Sequence, residues 1–135
     1  MTRRSRSRTR VPRISAGSSG RVNLAPDVCD GLVDLVYHHV RPASDAARFP
    51  LAAAVVTLAH EPQHSKGVAV EAQAECYAIQ LAASTAEPLG VGPQYAQGLA
   101  RLYWSHYDRE LPAYRSPQCR DGGPYDLRRG TSTWP

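Results

Sequence analysis

Residues 51–64 read LAAAVVTLAHEPQH, and this stretch decides the fold. No Lys, Arg, Asp or Glu stands between Leu51 and His60, so the segment has no strongly polar face to offer to water and reads as a buried helix. It is too short and too interrupted to span a bilayer, which takes about 20 apolar residues. At its end, His60-Glu61-Pro62-Gln63-His64 sets two imidazoles at i and i+4, on one helical face and close enough to share an ion. Glu61 lies between them and points near the same place. A catalytic zinc takes three protein ligands and leaves a fourth position for water, and a carboxylate beside that water can accept its proton. His60 and His64 are therefore candidate ligands for one zinc ion, and Glu61 is the candidate catalytic carboxylate.

Working outward, Gly67 is a natural stop for this helix, because glycine adopts the left-handed conformation that closes helices. Beyond it, residues 68–85 form a second alanine-rich helical pattern, in which Glu71 and Glu75 stand four residues apart and can both face the histidines. Glu71 is the nearer candidate for third ligand. Glu75 suits an outer role, accepting a ring N–H from His60 or His64 and fixing its orientation, although the choice between the two stays open. The alternative origin of such a pair is a solvated acidic stripe.

Upstream, Pro26 and Asp27 suit a helix start, and Val28, Leu32, Leu35, Val36 and Val40 mark one face of a helix over residues 26–40. Downstream, the AEPLGVGP connection leads to a helix expected over residues 93–111, with Tyr95, Leu99, Leu102, Tyr103 and Tyr107 on its apolar side. If that helix covers the site, His106, Tyr103 and Tyr107 are candidates to stabilise an oxyanion; aromatic residues at this spacing more often serve as core. His38 and His39 are adjacent and point in different directions. The fold expected is mostly α, a small bundle of about four helices with the HExxH motif on the second.

The ends differ in character from this core. Residues 1–21 hold seven arginines and no acid, too little apolar surface to offset the entropy of ordering, and are expected to be a disordered tail. Of the 16 basic residues in the chain, 16 − 7 = 9 remain to face 12 acids, so the remainder is mildly acidic. A basic arm alone can touch phosphates, but no basic patch with interleaved aromatics continues into the domain, and a nucleic-acid partner is not expected. The helical domain is expected over residues 22–115. Residues 116–135, rich in Pro, Gly and Arg, read as an irregular segment anchored, if at all, by Cys119, Tyr125 and Trp134.

No signal peptide or membrane span is visible, which makes the cytoplasm the default compartment. The three cysteines show no CxxC spacing, which argues against a thiolate zinc site. A disulfide between Cys29 and Cys119 is expected instead, with Cys76 buried beside the site. Such a bond would suit an exported protein whose start is truncated.

The run TLAHEPQHSKGVAVEAQAECYAIQ, residues 57–80, resembles the zincin metallopeptidases, and within them the short glutamate-ligated kind. It also looks like a group of small actinobacterial proteins of uncharacterised activity, in which an HExxH helix precedes an EAxxECYAxQ helix and a late Cys-Arg-x-Gly-Gly segment, here residues 119–123. The first resemblance implies that His60 and His64 are the paired ligands, Glu61 the general base, Glu71 the downstream ligand and Glu75 its outer partner. It implies a zinc-dependent hydrolase acting on a peptide or protein. The chain departs from the HExxHxxGxxH pattern, since position 70 is Val, and it carries Pro62 inside the motif. A proline there removes a helical N–H and crowds the carbonyl of Leu58, at a cost of about 3 kcal/mol in an ordinary helix, and it predicts a kink that moves His64 relative to His60. Pro62 supports the alternative, a catalytically inactive zincin-like module for interaction or cell-surface display.

Overall fold

The computed structural model describes residues 23–135, which form four α-helices with no strand among the described residues. The Arg-rich tail expected over residues 1–21 lies outside the described residues. Helix α1 (Pro26–Val36) opens with proline at its first position and Asp27 in the first turn, where a missing N–H costs nothing and a negative charge meets the positive helix end. It stops four residues short of the expected Val40. His39 takes a left-handed backbone conformation at φ 51°, which a helix cannot continue through, and the Arg41 guanidinium donates to the freed Leu35 carbonyl at 2.7 Å.

Helix α2 (Asp45–Ser65) starts six residues before the expected Leu51. Ser44 accepts a hydrogen bond from the Ala47 amide at 3.2 Å, and this cap fixes the start upstream of Pro50, which is carried inside the helix. The helix packs against each of the other three, and Leu51, Ala52, Val55, Val56 and Ala59 are all buried. Small residues let the neighbours come close. At Gly31 of α1, an added Cβ would lie 3.0 Å from Ala54 Cβ.

Gly67, at φ 97°, turns the chain out of α2. Helix α3 (Glu71–Ala86) begins three residues later than expected, because Val70 is extended and residues 68–70 form a short link. Helix α4 (Pro93–Ser105) is six residues shorter than expected. Leu111 precedes Pro112 and is held extended, so the expected last turns of α4 become two separate 3-10 turns, Tyr107–Arg109 and Pro112–Tyr114. The core of Leu35, Val55, Val56, Ile79 and Leu99 is completed by alanines from α2, α3 and α4.

Residues 116–135 contain no helix but are firmly attached. Gln80, buried on α3, donates to the Tyr125 carbonyl at 2.7 Å and accepts from the Leu127 amide at 2.8 Å, so a polar side chain inside the fold is satisfied by the segment it anchors. Tyr125 packs edge-on against Tyr77, and Trp134 packs edge-on against Trp104. Cys119 is bonded to Cys76 of α3, with a Cα–Cα separation of 5.7 Å. The expected pairing of Cys29 with Cys119 is therefore corrected: Cys29 is a free thiol on the exposed side of α1. Cys76 is buried as expected, but it is buried against the C-terminal segment, where its partner lies.

Candidate metal centre

The two motif histidines converge from successive turns at the end of α2. His60 Nε2 and His64 Nε2 are 3.0 Å apart. Glu71, the first residue of α3, bridges them, with Oε2 at 3.0 Å from His60 Nε2 and Oε1 at 3.2 Å from His64 Nε2. Four ligands arranged tetrahedrally at zinc–nitrogen bond lengths stand about 3.3 Å from one another. The contacts between the two nitrogens and from each nitrogen to one of the two carboxylate oxygens are close to that spacing.

The outer nitrogens of both rings are already engaged. His64 Nδ1 lies 2.7 Å from the Val68 carbonyl, and a carbonyl can only accept, so the proton sits on Nδ1. His60 Nδ1 lies 3.1 Å from Glu75 Oε2, which by the same reasoning holds a proton on that nitrogen. In the neutral rings, both Nε2 lone pairs therefore point at each other and at a carboxylate, an arrangement that only a shared proton or a cation makes favourable. The link over residues 68–70, expected to be helical, is what supplies the Val68 carbonyl.

Proton affinities agree with this geometry. Burial lowers the pKa of His60, but hydrogen bonds and charge from Glu75 and Glu71 outweigh it and hold the value above the ordinary imidazole. Positive charge is favoured where the three donors meet. Glu61 is buried at 4% exposure, and its carboxylate approaches both histidines, all three donor atoms lying within 4.8 Å of one another. Burial raises its pKa against the opposing pull of His60 and His64, which moves a carboxylate toward the range where a general base works. Of the three glutamates near the histidines, Glu71 meets both inward nitrogens at 3.0 and 3.2 Å, Glu75 meets the outer nitrogen of His60, and Glu61 stands beside the pair.

Pro62 does not separate the pair. The helix continues through it to Ser65, and its ring is on the exposed side while His60, Glu61 and Gln63 are buried. His60 Nε2 and His64 Nε2 converge to 3.0 Å across it.

The aromatic residues of α4 and its extension hold other positions. Tyr103 stacks on Phe49 and donates its hydroxyl to Glu110. Burial and the charges of Glu75 and Glu110 push its pKa far up, so it is a neutral donor committed to Glu110. Tyr107 spends its hydroxyl accepting from the Ser116 amide at 2.9 Å. His106 makes its contacts with Phe49 and Arg109 rather than with the cluster. Two residues not singled out from sequence stand nearer. Glu110 meets Tyr103, and burial with the Glu75 charge raises its own pKa. Tyr114, on the Pro112–Tyr114 turn, brings its ring to 6.0 Å from that of His60. Glu110 closes the Tyr107–Arg109 turn that replaces the expected last turns of α4, and Tyr114 lies past the expected end of that helix, where periodicity carries no signal. An open cavity of about 430 Å3 adjoins this turn, lined by Tyr107, Pro112, Arg115 and Pro117 among others.

No helix among the described residues is long and apolar enough to cross a membrane. Comparison with known proteins found no matching family model, no similar curated protein and no similar solved structure, so the reading of this centre rests on its own donor atoms.

Proposed function

We propose that the chain is a zinc-dependent hydrolase, most simply a peptidase, with His60, His64 and Glu71 as the ligands of one ion and Glu61 as the general base. One observation carries this reading: two imidazole Nε2 atoms and a carboxylate meet at 3.0–3.2 Å while both outer Nδ1 atoms are already bonded elsewhere. When bound, zinc supplies Lewis acidity toward a carbonyl and makes water acidic enough to lose a proton near neutral pH. Glu61 takes that proton and returns it to the departing amine. Glu75 holds the His60 ring through Nδ1, and the Val68 carbonyl does the same for His64. A bonded Cys76–Cys119 pair fits an oxidising compartment, and export is proposed accordingly.

The alternative, an inactive zincin-like module for interaction or cell-surface display, is favoured by Pro62. It is the second reading because the proline faces outward and leaves the donor spacing intact. Glu61→Gln separates the two. Zinc-loaded wild type is expected to cleave members of a mixed peptide library, and the variant should retain the ion while losing at least about 100-fold in rate, the scale of general base catalysis. Equal, background-level rates in wild type and variant would favour the module.

A further inference from the structure

We propose that Arg41 and Arg48, gathered at the ring of Tyr95, form a binding site for a phosphate group, carried on a soluble ester or on a lipid headgroup. None of the three residues takes part in the metal centre.

Three parts of the chain bring them together. Arg48 lies near the start of α2, Tyr95 in the first turn of α4, and Arg41 in the link between α1 and α2. The Arg48 guanidinium carbon lies over the Tyr95 ring, 4.9 Å from its centre, and that of Arg41 is 5.8 Å from the same centre, both within reach of a cation–π contact. The ring is itself held, because its hydroxyl donates to the Pro42 carbonyl at 2.9 Å and so ties α4 to the residue after Arg41. Gly98, one turn further along α4, makes the seat: a Cβ there would run into the Arg48 guanidinium. Glycine weakens a helix interior, so α4 gives up stability at the point where this cation is lodged.

The cations are placed, but their charge is not answered. The Arg48 side chain is only 21% exposed, yet among the described residues its Nε is buried without an acceptor. The carboxylate paired with it, Asp45, stands 3.9 Å away with its own side chain 77% exposed. Such a pair contributes little and is easily displaced. Arg41 donates through Nη1 to the Leu35 and Val40 carbonyls at 2.7 and 3.0 Å, which fixes the group while using neither Nε nor Nη2. A guanidinium withdrawn from most of its water without an acceptor is unfavourable. Laid over a ring, it covers one face and sends its remaining N–H groups outward along its edge, the geometry that takes phosphate oxygens in pairs. Two such cations at one ring call for two negative charges. A phosphate monoester supplies nearly two near neutral pH, whereas one carboxylate answers only one cation.

Inorganic phosphate is the probe. Its binding to the chelator-treated full chain, where no metal competes for it, is measured by isothermal titration for wild type, Arg48→Gln and Arg41→Gln, with melting temperatures recorded alongside. Wild type is expected to take up phosphate at this site, and each variant to hold it about tenfold more weakly, the scale of one hydrogen bond to a charged group. Arg48 also joins α2 to α4, so Arg41→Gln carries the test if Arg48→Gln melts early. Affinity equal to wild type in Arg41→Gln, or in a folded Arg48→Gln, overturns the assignment, because it leaves the arginines of residues 1–21 as the phosphate binders. Wild type that takes up no phosphate overturns it as well. With phosphate bound as expected, vesicles of phosphatidylcholine with and without phosphatidic acid separate the two sources. Wild type retained on the acidic vesicles more strongly than either variant places the phosphate on a lipid, and equal retention places it on a soluble ester.

Discussion

Breaking the Cys76–Cys119 bond should cost the fold a large part of its stability. The bond closes a loop of 43 residues, and the loop-closure entropy removed from the unfolded chain corresponds to about 4 kcal/mol at 25 °C. For the 113 described residues, 23–135, an unfolding entropy near 2.1 cal/mol/K per residue makes this a fall of roughly 15 °C in melting temperature. The assay is thermal unfolding followed by circular dichroism, comparing oxidised protein, protein with a thiol reductant, and the Cys76→Ser/Cys119→Ser double variant. Reduced and double-variant proteins should stay helical at 25 °C, because Gln80 still binds Tyr125 and Leu127 and the aromatic contacts of Trp134 remain. A melting temperature that moves by less than about 3 °C on reduction would refute the reasoning, since it would mean that the bond closes no loop that unfolding must open.

Glu110→Gln should stabilise the metal-free protein near neutral pH. A pKa raised by burial and by Glu75 means that the folded state prefers the protonated acid, so its contribution is full below the unfolded value near 4.5 and is lost as pH rises through the folded value. The variant's advantage in urea unfolding should therefore be present at pH 7.5 and shrink toward pH 4; an advantage that grows on acidification would reverse the sign. Pro62→Ala restores an N–H toward the Leu58 carbonyl and should gain stability by up to about 3 kcal/mol with unchanged zinc stoichiometry; a loss of stability would show that the proline is needed where it stands. Gly31→Val places a side chain against Ala54 across the α1–α2 contact, where an added Cβ is already at 3.0 Å, and should destabilise by roughly 2 kcal/mol in the same assay.

The parts of the molecule that could be read in the sequence are those set by local spacing. The His60–His64 pair follows from helical geometry, and Gly67 announces the turn that brings Glu71 and Glu75 back to it. The limits of the helices were less legible. Pro50 looks like a boundary, yet the Ser44 cap starts α2 ahead of it; the regular aromatic spacing of α4 continues on paper past Ser105, yet the chain breaks into turns before Pro112. That break places Glu110 and Tyr114 at the site, a consequence of tertiary packing with no periodic signature. The disulfide was misassigned for a related reason. The sequence marks Cys76 as buried beside the site, and the C-terminal segment that buries it also brings Cys119.

His60, His64 and Glu71 are proposed to hold one zinc ion. Isothermal titration of zinc into chelator-treated protein, paired with the same titration of the His64→Ala variant, tests it most directly. One ion per folded wild-type chain, with affinity lost in the variant, is the predicted result. Folded wild type that takes up no zinc, or a His64→Ala variant that binds it as tightly as wild type, would contradict the account.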